Sequence, residues 1–252
     1  NMDSAVLAYS GGADSAFLLK TLSLVLPKDK VLAVTAESLI FPQEELVFAK
    51  NLAKSLGVRH KVILTNELDD KKFIANPSNR CYFCKRGLFS RLRGLARREK
   101  INFVLDASNF SDKKDYRPGS MAKREFNIFS PLEEARLNKH EIRQLSKKIG
   151  LQTWNKPSLA CLASRIPYGR EISPAVLKRI NLAENFLRKF GFEEVRVRDY
   201  GQFCRIEVAQ KDIRELISNK TFVICQLKKL GYNYLTVDLE GYRSGSMNSV
   251  LK

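Results

Sequence analysis

A chain of 252 residues, 44% of them hydrophobic, can bury a sizeable core and fold as one large domain or two smaller ones. No apolar run approaches the ~20 residues that span a bilayer, and the first strand follows so closely on the N-terminus that no signal peptide and a cytoplasmic location are expected. Lys and Arg number 44 against 27 Asp and Glu, and the resulting net charge of +17 suits nucleotides, anionic substrates or polyanions.

In chain order, apolar patterning predicts a strand over 4–9, a helix over 13–25, a strand over 31–36, a helix over 42–56 and a strand over 60–64. A basic helix follows over 84–99, then a short buried strand at Phe103-Val104-Leu105-Asp106. Its runs Lys85-Arg86, Arg91-Leu92-Arg93 and Arg97-Arg98-Glu99-Lys100 are interleaved with Leu and Ala, which reads as a solvated helix face. Residues 106–131 are polar and loop-rich, 138–149 form a helix closed by Gly150, and 154–170 read as an ordered loop with Pro157 and Pro167. Beyond Ser173-Pro174 come a helix over 175–190, strands over 194–198 and 204–208, helices over 211–217 and 221–230, and a strand over 234–239. Strands alternating with helices indicate an α/β doubly wound parallel sheet over residues 1–170, and the remainder a smaller α+β domain over 171–252.

The stretch from Ala5 to Leu19 carries the clearest chemistry. An apolar strand ends in Ser10-Gly11-Gly12-Ala13-Asp14-Ser15 and runs directly into a helix. Glycines let the backbone approach an anion, and the uncapped amides of a helix N-terminus attract it. The plain alternative is a strand-to-helix turn capped by Ser10 or Asp14. The Walker and dinucleotide patterns are both excluded, because there is no Gly-Lys-Ser/Thr ending and no third glycine at the required spacing. Ser10-Gly11-Gly12-x-Asp14-Ser15 resembles the PP-loop of the ATP pyrophosphatases, which implies cleavage of ATP to AMP and pyrophosphate and adenylation of a substrate.

Of the cysteines at 81, 84, 161, 204 and 225, only Cys81 and Cys84 show ligand-like spacing. Structural disulfides are not expected in the cytoplasm. The pair admits a redox couple, half of a zinc site or two coincidental thiols, and a four-ligand zinc site would need two more partners, for which the sequence has only His60 and His140 and no second C-x-x-C. Three thiolates, with Cys161 as the candidate third, would leave one iron of a cubane cluster open to an exogenous sulfide. Cys204 and Cys225 fall in apolar segments and read as core thiols.

Taken together, the turn, Cys81–Lys85, Asp115-Tyr116-Arg117-Pro118-Gly119, Pro131-Leu132, Pro157–Gly169 and Gly241–Asn248 resemble the LarE family over nearly the whole chain. These are ATP-dependent sulfur transferases that build the nickel-pincer nucleotide cofactor of lactate racemase. The resemblance implies ATP and Mg²⁺ as cofactors and pyridinium-3,5-biscarboxylic acid mononucleotide as the small-molecule substrate. One of its carboxylates is adenylated and converted to a thiocarboxylate. Sacrificial members donate the sulfur of the cysteine at the position of Cys161, leaving dehydroalanine, and lack the cysteines at the positions of Cys81 and Cys84. This chain has both, as do the members that hold a [4Fe–4S] cluster on three cysteines and pass on a sulfide from a sulfide donor. The family further implies a homo-oligomer, and the lack of a long apolar run leads to the expectation of no membrane partner.

Roles follow residue by residue. Ser10, Gly11, Gly12, Asp14 and Ser15 are expected at the pyrophosphate end of ATP, with Asp14 near Mg²⁺. Ser38 is a candidate for the nucleotide sugar or base, or else a helix cap. Lys85 and Arg165 are candidates for charge on the adenylate, with a solvated face the alternative for Lys85. Asn109, Asp115 and Arg117 belong to a sheet-end loop that would reach the nucleotide, though turn chemistry explains the Asn and Asp equally. Arg196 and Arg198 share one strand face and, with Glu184, are candidates for the substrate phosphate, or else cover an exposed sheet face. A tRNA thiolase of the same superfamily competes on the strength of the +17 charge. An ammonia-dependent PP-loop ligase, which has no need of Cys81 or Cys84, and a non-enzymatic nucleotide sensor are the further alternatives.

Overall fold

Ala5-Val6-Leu7-Ala8 forms β1 (Ala5–Ala8), apolar at every position because both faces of the strand are covered. The computed structural model describes residues 2–114, 118–157, 160–243 and 245–251. Asp115, Tyr116 and Arg117, with Ser158, Leu159 and Ser244, lie outside the described residues, and so does the role expected of Arg117. The chain divides into two compact units, one of Asn1–Asp70 with Asn79–Leu159, the other of Lys71–Ser78 with Ala160–Lys252.

In the first unit, α1 (Ala13–Val25), β2 (Val31–Glu37), α2 (Gln43–Ser55) and β3 (Arg59–Leu64) follow β1. A short helix α3 (Lys71–Ile74) belongs to the second unit, and the first resumes with α4 (Arg80–Arg98), β4 (Phe103–Leu105), α5 (Gly119–Glu125), α6 (Pro131–Glu134) and α7 (Lys139–Lys148). The four strands pair in parallel in the order β3-β2-β1-β4. Alternation along β1 sends Ala5, Leu7 and Tyr9 to one face, with Leu19 of α1, Ala49 of α2 and Ile142 of α7. Val6 goes to the other face, with Phe89, Leu92 and Leu95 of α4. Helices thus cover both faces of a parallel sheet, the doubly wound PP-loop architecture. The chain winds from β1 toward β2 and β3 on one side and to β4 on the other, so the carboxyl end of β1 lies at the switch point where such sheets bind ligands.

The expected helix start at 84 is corrected by the structure: α4 begins at Arg80, with Asn79 at its N-cap position and the Tyr82 amide bonded to the Asn79 carbonyl at 2.8 Å. Cys81 and Cys84 are therefore helical, three residues apart and on one face. The stretch over 106–131 also contains a turn of helix that its composition hides, α5, entered through Pro118.

The second unit is the smaller α+β domain. It contains α8 (Pro174–Lys189), β5 (Val195–Asp199), β6 (Phe203–Val208), α9 (Ile213–Ser218), α10 (Lys220–Lys229) and β7 (Tyr234–Val237). β5 and β6 are antiparallel, and β7 joins β6 in parallel. Val195 and Val197 of β5 pack with Ile206 and Val208 of β6, Leu187 of α8 and Leu227 of α10. The segment with α3 is held by backbone bonds from Gly169 to Asn76 and from Ile172 to Ile74, each 2.9 Å. Among the described residues no helix is long and apolar enough to cross a membrane.

Candidate functional site

The turn after β1 is built from the strand outward. Gly11 has φ +74°, a conformation that glycine adopts without strain. A Cβ there would lie 2.9 Å from the Cβ of Ala49 on α2. Gly12 is the N-cap residue of α1, and no side chain caps that helix, which sets aside capping by Ser10 or Asp14 and leaves the first-turn amides for a ligand. The hydroxyls of Ser10 and Ser15 lie 3.2 Å apart, and the Gly12 amide donates to Ser10 Oγ at 3.3 Å.

Asp14 stands in the first turn of α1. Its Oδ2 accepts from Lys139 Nζ at 2.9 Å and from Asn109 Nδ2 at 3.1 Å. Its Oδ1 is buried without a hydrogen-bond partner among the described residues, a state that a ligand donor or a cation would relieve. Asn109 itself is buried, and its Oδ1 closes a turn by accepting from the Ser111 amide at 2.9 Å. On the other side of the turn, Lys156 Nζ donates to the Gly11 carbonyl at 3.2 Å and pairs with Glu45 Oε2 at 2.9 Å.

At the carboxyl end of β2, Ser38 donates a short hydrogen bond to Glu67, whose other oxygen lies 3.9 Å from Cys84 Sγ. Lys85 Nζ is 3.7 Å from Asp106 at the end of β4, and its stem lies against Gly119, where a Cβ would meet it at 2.8 Å. Burial pushes the Asp106 carboxyl up, but Lys85, Lys123 and the hydroxyls of Ser130 and Ser108 outweigh it and hold the group below the usual carboxylate range.

In the second unit Arg165 is fully buried. Its Nε and Nη2 form a bidentate pair with Glu184 at 2.8 and 3.0 Å, and its Nη1 donates to the carbonyls of Ala160 and Cys161 and to Ser164 Oγ. Every nitrogen of the guanidinium is thus engaged within this unit. Glu184 also accepts from Arg188 and from the Val197 amide. Arg198 makes a second bidentate pair with Glu207, at 2.9 and 2.6 Å. Arg196 and Arg198 are 4% and 5% exposed, so β5 presents buried arginines and not the open face that alternation allows. Around Glu184 and Glu207 therefore stand Arg165, Arg188, Arg196, Arg198 and Arg205. Burial, followed by the field of Arg165, lowers the Arg196 guanidinium to about 10.

No family model matches the chain. Pyridinium-3,5-bisthiocarboxylic acid mononucleotide synthase of Lactiplantibacillus plantarum is 36% identical over 251 residues, covering 100% of this chain and 91% of that protein. The chain belongs to the LarE family. Two uncharacterized proteins also align with this LarE chain along its length. Slr1717 of Synechocystis is 41% identical over 252 residues (99% of this chain, 94% of that protein), and MJ0830 of Methanocaldococcus jannaschii 34% over 241 residues (95% and 90%).

The structure divides the expected LarE site residues between the units. Ser10 to Ser15, Ser38, Lys85, Asn109, Cys81 and Cys84 belong to the first, and Cys161, Arg165, Glu184, Arg196 and Arg198 to the second. Within either unit, no three described His, Cys, Asp or Glu side chains gather in a group that could hold a metal ion. Lys139, Lys156, Glu45 and Glu67 escaped the sequence reading. Each is a charged residue on or beside a helix that also reads as a solvated face, and only tertiary packing sets it against the turn or against Ser38.

Two measurements follow. Gly11→Ala meets both the positive φ and Ala49, and should destabilise the fold by about 1–3 kcal/mol in urea unfolding. Gly12→Ala, with ordinary φ and its nearest contact at 3.4 Å, should be near neutral. Glu184 has a folded-state pKa held below the ordinary 4.5, because Arg165, then Arg196 and Arg188, outweigh the upward push of burial. Its contribution to stability is thus present above about pH 4.5 and lost as pH falls through the lower folded value. The melting temperature should hold from pH 8 to about 5 and drop below about 4; Glu184→Gln should cost about 3–5 kcal/mol at neutral pH and flatten that acid limb.

Proposed function

We propose that this chain is an enzyme, an ATP-dependent sulfur transferase that converts a carboxylate of pyridinium-3,5-biscarboxylic acid mononucleotide to a thiocarboxylate. The observation that carries the reading is the full-length similarity to a relative whose name is a bisthiocarboxylic acid mononucleotide synthase.

The turn supports the ATP half of the reading. The uncapped start of α1, the Gly12 amide and the Ser10 and Ser15 hydroxyls form an anion cradle for the β- and γ-phosphates. The buried, unpartnered Oδ1 of Asp14 fits a Mg²⁺ ligand, a hard oxygen donor beside phosphate. Bound there, Mg²⁺ would offset phosphate charge as the carboxylate oxygen attacks the α-phosphorus and pyrophosphate departs. Lys85, held by Asp106 and stacked over Phe89 with Nζ 5.5 Å from the ring centroid, is our candidate for steadying negative charge on the adenylate. In the second unit Arg196 and Arg198, buried on β5, are our candidates for the substrate's phosphate. Arg165 then serves by fixing the backbone of Cys161, and Glu184 by orienting Arg165.

The thiols support the sulfur half. Cys81 is exposed and Cys84 and Cys161 are half-buried, all three free of disulfides, whereas burial and Asp199 push the Cys204 thiol up to about 12. Three accessible thiols suit the donor set of an iron–sulfur cluster. A [4Fe–4S] cluster on Cys81, Cys84 and Cys161 would supply one iron without a protein ligand, able to carry the sulfide. The sulfur atom then displaces AMP from the acyl adenylate.

Anaerobic purification with iron and sulfide assays, followed by turnover and mass spectrometry, tests the reading. Wild-type protein should carry about four irons, release AMP and pyrophosphate with the thiocarboxylate, and lose activity in Cys81→Ala. Full activity in Cys81→Ala would sink the three-thiolate arrangement. A loss of about 34 Da at Cys161 after one turnover, the removal of H₂S from a thiol side chain, would establish sacrificial donation in its place. Tight, salt-sensitive binding of bulk tRNA would count for a tRNA thiolase.

A further inference from the structure

Gly11 and Gly12 share a peptide bond that carries no side chain on either flank, so little in the local chain prevents it from rotating between its two Ramachandran-allowed settings. The setting matters, because a trans peptide points its N–H and its C=O in opposite directions. In the structure the Gly12 amide faces Ser10 Oγ, on the side of the Ser10–Ser15 hydroxyl pair, and the Gly11 carbonyl faces Lys156 Nζ. With the peptide reversed, a carbonyl oxygen would face the cradle and repel phosphate.

Lys156 is itself firmly held. Its ammonium is paired with Glu45 at 2.9 Å and lies 3.6 Å from the centroid of the Phe48 ring, with the side chain only 14% exposed. Its own carbonyl accepts from Arg143 at 3.0 Å, and its amide donates to Thr153 at 3.1 Å. Glu45 and Phe48 lie on α2, the helix whose Ala49 leaves no room for a Cβ at position 11. The ammonium therefore sits behind the turn and ties its carbonyl to α2.

We propose that Lys156 is a positioning residue for the glycine turn, holding the Gly11–Gly12 peptide with its N–H toward the terminal phosphates of ATP. This rests on the ATP reading above. Lys156 does not touch the α-phosphate or the adenosine in this role. Its removal should therefore weaken ligands that carry the terminal phosphates and spare those that do not.

Isothermal titration of ATP, pyrophosphate and AMP, with melting curves, on wild type, Lys156→Met and Lys156→Arg provides the test. Met keeps the stem over Phe48 and removes the donor. The expected result for Lys156→Met is roughly tenfold to hundredfold weaker binding of ATP and pyrophosphate, unchanged AMP affinity, and recovery of most of the loss in Lys156→Arg. Wild-type ATP affinity in Lys156→Met, or equal losses for ATP and AMP with a lowered melting temperature, overturns the proposal. If Lys156→Met does not fold, Lys156→Leu, which also removes the donor, carries the same comparison. A wild-type protein that binds no ATP overturns the parent ATP reading and this one with it, a result distinct from tight binding by both wild type and variant.

Discussion

The close approach of α2 to the turn at position 11 governs the first unit. A side chain there would collide with Ala49, and the backbone, which turns with positive φ, enters α1 without a capping side chain. Three consequences follow from that single packing constraint. The helix amides stay available, Asp14 falls in the first turn, where Lys139 and Asn109 reach it, and the Ser10 and Ser15 hydroxyls come within 3.2 Å of each other. Thr35 supports the turn from below. Its hydroxyl donates to the Tyr9 carbonyl at 2.7 Å and lies 2.8 Å from His60 Nε2, which ties the end of β1 to β2 and β3. Burial, aided by Lys50, holds the His60 imidazole below its ordinary pKa.

The second unit rests on a different constraint, the burial of guanidinium groups. A buried arginine needs its planar fork filled, and Glu184 and Glu207 each fill one in bidentate geometry. Lysine could not substitute, because a single ammonium cannot bond both carboxylate oxygens and two carbonyls in one plane. Arg188 and Arg205 add further bonds to the same two carboxylates, and Arg205 also reaches Asp238 at 3.3 Å.

The sheet, its helices and the glycine turn were legible because each rests on a local pattern. β1 is a short run with two buried faces, and the turn combines residue types that a helix start alone does not require. The start of α4 was misread because Cys-Tyr-Phe-Cys has no strong helix preference. The arginines of β5 show the limit of alternation. Period two says that Arg196 and Arg198 share a face, but whether that face is wet depends on what packs over it. Lys156 and Glu45 were illegible for a related reason. They lie more than a hundred residues apart, and nothing in either local sequence distinguishes a lysine that braces a turn from one that solvates a loop.

The same limit applies to the net charge. Arg93 donates through all three of its nitrogens to the carbonyls of Phe126, Asn102 and Asn127, and burial, then Arg97, lowers its guanidinium below the ordinary value. Arg91 and Arg143 likewise bond the carbonyls of Leu64 and Lys156. An arginine that closes a loop by bonding carbonyls needs no acidic partner, so every such arginine adds a full positive charge to the sum while turning its donors inward. Part of the +17 is therefore a by-product of how α4 and its neighbouring loops are tied together. The basic runs of that helix are structural to this extent, and they lend correspondingly less weight to a polyanion partner.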